Sequence, residues 1–166
     1  MTQPYPMQMK HRELSRQEAF EILEEGEFAT ISTVDPDGTP YGVPVSYVMM
    51  DEKLYIHTGK RPGHKIDDFT HDSRVCVSVA SELEPIYEDT FFTTRFASAI
   101  ATGRISRIED RVTVKQVLAK LCMKYCPQFK KEIGGAIERE LDATDIWVVE
   151  FDEVRGKAGR RLKRRS

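Results

Sequence analysis

The sequence predicts a mainly β fold, an antiparallel barrel with peripheral helices, on three observations. Residues 27–58 hold three runs rich in β-formers separated only by short turns, which favours an antiparallel meander. Two further runs, at residues 75–80 and 96–105, alternate their side chains with period two. Helical periodicity is strongest on the two flanks of this region, at residues 15–25 and after Asp110.

The elements follow in order. Ser15 and Glu18 make a capping box ahead of Ala19, Phe20, Ile22 and Leu23, and Gly26 stands where helices commonly end, so a helix is expected over 15–25. After the strand at 27–34, Asp35-Pro36-Asp37-Gly38-Thr39-Pro40 closes a hairpin, and 41–50 reads as one return strand. Asp51-Glu52-Lys53 turns the chain into a strand that places Leu54 and Ile56 on one face and Tyr55 and His57 on the other. A Gly/Pro loop then leads into a short helix from His64 to about Asp72. Val75, Val77 and Val79 mark the fourth strand. Residues 81–95 carry Pro85 and the acidic residues Glu82, Glu84, Glu88 and Asp89, and fit either a long loop or a strand extension. The fifth strand sets the small residues Ala97, Ala99 and Ala101 on one face. Val114, Val117, Leu118, Leu121, Cys122 and Tyr125 form a helical stripe that Pro127 stops. Phe129, Ile133, Ala136 or Ile137, and Leu141 predict a further helix, weakened by Gly134-Gly135. The last strand, 146–154, contains the single tryptophan, Trp147.

At 166 residues the chain fits one domain, expected at 15–156, between an N-terminal extension (1–14) and a basic tail (157–166). The tail holds six of the 25 basic residues, which leaves 19 against 27 acidic ones in the body, a net of −8. An acidic body argues against a nucleic-acid partner, and the tail reads as a solvated terminus. No apolar run approaches the roughly 20 residues that span a bilayer, so a cytoplasmic protein without a membrane partner is expected. Cys76, Cys122 and Cys126 have no framework spacing and are expected as free thiols; Cys122 and Cys126 share one helix face. The chain lacks G-x-S-x-G, a Walker loop and a G-x-G-x-x-G after a strand, which argues against a hydrolase or a nucleotide-fold dehydrogenase.

The stretch from Leu54 to Lys65 carries the chemistry. A strand, a loop and a helix start present free N–H groups and the positive end of a helix dipole, here beside Thr58, Lys60, Arg61, His64 and Lys65, and that combination suits a phosphate. The other reading is an exposed loop solvated by its cations. His57, His64 and His71 are spaced by seven but fall on different elements, and no metal is expected.

These residues also carry a resemblance. Phe28-Ala29-Thr30-Ile31-Ser32-Thr33, Asp37-Gly38-Thr39-Pro40 with Pro44-Val45-Ser46-Tyr47, Leu54-Tyr55-Ile56-His57 with Gly63-His64-Lys65-Ile66-Asp67, and Phe92-Thr93-Thr94-Arg95-Phe96-Ala97-Ser98 with Gly103-Arg104 together resemble the FMN-binding split-barrel family. This is the superfamily of pyridoxamine 5′-phosphate oxidase, and the pattern is most similar to its 5-nitroimidazole-resistance (Nim) branch. The likeness runs from about Glu13 to Lys157.

The resemblance implies a six-stranded antiparallel split β-barrel and a homodimer with FMN at the subunit interface. By position, Lys65 with His57, Thr58 and the His64 backbone would hold the phosphate. Val45, Ser46, Tyr47 and Ile56 would lie beside the isoalloxazine ring, and Thr94, Arg95 and Ser98 would reach the site from the partner chain. The implied activity is an oxidoreductase that passes electrons from a reduced nicotinamide to a small nitroaromatic-like acceptor. For His57 two roles stay open, a hydrogen bond to phosphate or ribityl and a catalytic proton relay. Pyridoxamine phosphate oxidases carry an arginine-rich phosphate motif and a C-terminal Arg-Leu-x-Pro. Gly63-His64-Lys65 and Arg161-Leu162-Lys163 stand in their place here, which argues against vitamin B6 oxidation. The alternatives are a haem-binding or haem-degrading barrel with His11, His64 or His71 as axial ligand, and a non-enzymatic flavin carrier or sensor.

Overall fold

The computed structural model describes residues 5–159 except Asp89. Eight antiparallel strands form one sheet: β1 (Glu13–Leu14), β2 (Ala29–Val34), β3 (Pro40–Val45), β4 (Tyr47–Met50), β5 (Lys53–Gly59), β6 (Arg74–Glu88), β7 (Phe91–Ile108) and β8 (Thr144–Gly159). The sheet order is β3-β2-β6-β7-β8-β5-β4, with β1 paired to β8. Four helices accompany it: α1 (Arg16–Glu25), α2 (His64–His71), α3 (Arg111–Tyr125) and α4 (Ile133–Glu140). None of the described helices is long and apolar enough to cross a membrane.

The expected return strand at 41–50 is two strands, and this break makes the barrel a split one. β3 pairs with β2, from Ala29↔Val45 to Val34↔Pro40, whereas β4 pairs with β5, from Tyr47↔Ile56 to Met50↔Lys53. One nearly continuous run, interrupted at Ser46, therefore supplies both edges of an unclosed sheet. Pro40 and Pro44 have no N–H to offer, which confines β3 to an edge. The six expected strands are all present, and the count reaches eight through this split and the two-residue β1. Within the 81–95 segment, residues 81–88 and 91–95 are strand. β6 and β7 form one long hairpin with a register shift between Ser81 and Glu84, extended well beyond the predicted 75–80 and 96–105. β8 likewise continues through Lys157 to Gly159; the rest of the basic stretch, including Arg161-Leu162-Lys163, lies outside the described residues.

One apolar cluster fills the barrel, with Leu23, Ile31, Tyr47, Leu54, Ile56, Val77, Ala99 and Val149 among its members. The alternation predicted for β7 holds: Ala97, Ala99 and Ala101 are buried, whereas Ile100 is exposed. α1 begins with the predicted capping box, Ser15 Oγ accepting from Glu18 N and Glu18 Oε2 accepting from Ser15 N. Gly26 follows α1 in extended rather than left-handed backbone (φ −62°). Space decides its identity: a Cβ there would press into Val79 and stand 2.6 Å from the Tyr47 hydroxyl.

A second cluster joins α3 and α4 to the outer face of β4, β5 and β8, packing Val114, Val117, Leu121 and Ile137 against Tyr55, Ile146 and Val148. α3 also reaches the strand break. The Tyr125 hydroxyl accepts the Tyr47 N–H at 2.9 Å and donates to Glu27 O at 2.6 Å, with Tyr47 O at 3.1 Å. The Lys124 amine donates to Gly26 O at 2.7 Å and sits 3.9 Å from the centre of the Tyr47 ring. Tyr125→Phe keeps the ring but strips the Tyr47 N–H of its partner. The variant is expected to lose about 1–3 kcal/mol of unfolding free energy in urea titrations, the cost of an unsatisfied buried donor.

Candidate functional site

β5 sets the site through its parity. Leu54 and Ile56 point into the barrel and are fully buried, Tyr55 lies under α3 and α4, and His57, beyond their cover, faces outward. The chain leaves β5 at Gly59, where Lys60 N–H donates to Ala143 O at 3.1 Å, and re-enters helix at His64. Ile66 and Asp67 both send their N–H groups to Gly63 O, at 2.8 and 3.1 Å. The N–H groups of His64 and Lys65 precede the first intrahelical bonds, and no side chain caps this end, so both are available to a ligand. Among the described residues, Lys60, Arg61 and Lys65 make no ion pair.

The Lys65 charge acts on the His57 imidazole, so the two side chains lie within electrostatic reach of each other. Burial, and then the Lys65 charge, hold the His57 imidazole below its ordinary pKa of 6.5, so it is neutral at neutral pH. One strand-loop-helix unit thus carries two uncapped backbone donors, an ammonium and a neutral imidazole. This set matches a phosphate dianion.

The other candidates are placed differently. Thr58 shares the inward face with Leu54 and Ile56, and its hydroxyl accepts the Trp147 indole N–H at 3.1 Å inside the protein. The His64 ring turns away from His57: it stacks on Tyr41 at 3.9 Å and its Nε2 lies 2.7 Å from Asp35 Oδ1, which leaves its backbone N–H for the corner. Val45, Tyr47 and Ile56 belong to the barrel interior, and the Tyr47 hydroxyl donates to Leu23 O. What remains accessible beside a planar ligand in this stretch is the half-buried Ser46 and the backbone at the break. His11 and His71 are both exposed.

Thr94, Arg95 and Ser98 sit well along the sheet from His57 within one chain. Ser98 pairs with Lys157 and Ala97 with Ala158, while His57 pairs with Ile146. Eleven residues of β8 separate these points, roughly 35 Å of strand at 3.3 Å per residue. Thr94 and Arg95 instead line a cavity of about 260 Å³ with Arg12, Phe91, Phe92 and Gly159, and Arg95 pairs with Glu84 at 3.3 Å. A second cavity, about 270 Å³, adjoins Lys60 and is crossed by the Arg111–Asp142 and Arg107–Asp145 pairs.

Sequence reasoning missed two features. The Tyr125 hydroxyl was hidden in an apolar stripe. Asp68, 1% exposed and four residues after His64 on α2, is a carboxylate on a buried helix face, which is itself an available signal.

Comparison with known proteins agrees with this architecture. A sequence model described as pyridoxamine 5′-phosphate oxidase matches residues 15–158. A putative 5-nitroimidazole antibiotic resistance protein from Bacteroides thetaiotaomicron superposes with a TM-score of 0.73 at 22% identity, over 88% of this chain and 86% of that one. The flavocytochrome Anf3 from Azotobacter vinelandii gives 0.75 at 18% identity, over 97% and 75%. An FAD-binding protein from Mesorhizobium loti gives 0.63 at 23% identity, over 89% and 97%. A search of the curated proteins gave no match. At these identities the structures share the fold, and the match over residues 15–158 carries the family: the chain belongs to the pyridoxamine 5′-phosphate oxidase family.

Proposed function

We propose that this protein binds FMN and acts as an oxidoreductase, passing electrons from a reduced nicotinamide to a small nitroaromatic-like acceptor. The observation that carries the reading is that one strand-loop-helix unit carries Lys65, His57 and the uncapped N–H groups of His64 and Lys65 at the start of α2. Flavoproteins with this fold, and a nitroimidazole resistance protein among the structural neighbours, support it.

FMN when bound would supply hydride acceptance and release at its ring system. The chain's own residues bind and orient. Lys65 and the two N–H groups neutralise the phosphate, and His57, neutral beforehand, donates a hydrogen bond to phosphate or ribityl oxygen. Ser46 and the backbone at the break form the surface beside the ring. With Thr94, Arg95 and Ser98 some 35 Å of strand away, their expected contribution requires a second copy of the chain, so the reading includes a homodimer with the flavin at the seam.

The first experiment is an absorption spectrum of the purified protein after FMN loading and desalting, paired with sedimentation to read its mass. A retained flavin band near one per chain in a dimer supports the reading. A haem band, or no chromophore, overturns it. Reduced-nicotinamide oxidation with a nitroaromatic acceptor then separates an enzyme from a carrier.

Lys65→Ala is expected to weaken FMN binding by about 1.5–3 kcal/mol, the range for a hydrogen bond to a charged group. The same substitution removes a cation that disfavours the His57 imidazolium, so the His57 pKa should move up toward 6.5 in an NMR titration of the flavin-free protein. An unmoved pKa would separate the two side chains.

A further inference from the structure

At the first residue of α2, next to Lys65 in the chain, His64 lies between two carboxylates. Its Nε2 is 2.7 Å from Asp35 Oδ1 and 3.7 Å from Asp68 Oδ2, and the three ligand atoms lie within 4.8 Å of one another. The two acids come from different elements, Asp35 from the β2–β3 turn and Asp68 from the buried face of α2.

Asp68 is the decisive residue. Its side chain is 2% exposed, and Thr33 Oγ1 donates to Oδ2 at 2.6 Å. Among the described residues neither Asp68 nor Asp35 pairs with a lysine or arginine, and Asp67 adds a third acid near the imidazole. A carboxylate this far from water is costly without a cation, and a single imidazole faces a surplus of negative charge. The spacing also fits coordination. Bonds of about 2.0–2.2 Å to one imidazole nitrogen and two carboxylate oxygens place ligand atoms about 3.3 Å apart, between the two observed separations. Thr33 would fix the Asp68 oxygen, and the Tyr41 ring holds the plane of the imidazole. His64 and Asp35 remain 49% and 22% exposed, which leaves an entry path and open positions for water.

We propose that Asp35, His64 and Asp68 form a binding site for one divalent transition cation of the zinc class, which clamps α2 to the β2–β3 turn. An N,O,O donor set of this kind favours zinc, cobalt or manganese over calcium or magnesium, whose sites are built from oxygen alone.

Chelator-stripped, full-length protein titrated with Zn²⁺ by calorimetry tests the site. One equivalent per chain is expected. His64→Ala and Asp35→Asn should each weaken binding by at least about tenfold. Added Co²⁺ should give visible bands that His64→Ala abolishes. No stoichiometric binding, or binding that both variants retain, overturns the proposal. Both residues are partly exposed, so the variants decide it even where Asp68→Asn fails to fold. The titration is run without flavin, so its failure leaves the FMN reading intact.

Discussion

Trp147 stands where the three elements of the site meet. It projects from β8, donates its indole N–H to Thr58 of β5, and packs its ring 5.2 Å from that of Phe69 on α2. Buried tryptophan keeps its N–H paired, and Thr58 is the inward residue that accepts it. Once Thr58 is committed to the interior, strand alternation turns His57 outward, and once Phe69 is anchored, α2 holds Lys65 within electrostatic reach of it. The corner proposed to hold an anion is thus positioned by core packing, although none of its own donors belongs to the core.

The break at Ser46 is held by a different set of forces. A strand that leaves one partner for another exposes backbone groups at the crossing, and such groups need partners when the region is covered. Tyr125 and Lys124 bring those partners from the end of α3, satisfying Tyr47 N–H, Glu27 O and Gly26 O. α3 and α4 therefore do more than cover the outer sheet face. They fix the geometry of the point where β3 becomes β4.

α2 carries opposite electrostatics on its two sides. Toward β5, the Lys65 charge and burial disfavour the imidazolium of His57; toward the β2–β3 turn, Asp35, Asp67 and Asp68 favour that of His64. Two histidines seven residues apart are thus shifted in opposite directions from the ordinary imidazole pKa, His57 downward and His64 upward.

The sequence by itself determined the periodic features of this protein. The capping box at Ser15, the parity of β5, the helical stripe from Val114 to Tyr125 and the glycine-rich entry into α2 are local patterns, and each forms as the pattern requires. That Lys65 and His57 lie within electrostatic reach was legible for the same reason, since they are eight residues apart across a single strand-loop-helix unit. What needed the tertiary structure is whatever depends on a partner far along the chain. The split of 41–50 arises because its halves pair with β2 and β5, and no local signal distinguishes two partners from one. Thr58, Tyr47 and Ile56 have the chemistry of ligand contacts, but contacts with Trp147, Leu23 and the barrel interior draw their side chains inward. Asp68 approaches His64 across one helical turn, but it meets Thr33 only when α2 lies across β2, so the burial of its carboxylate comes from tertiary packing.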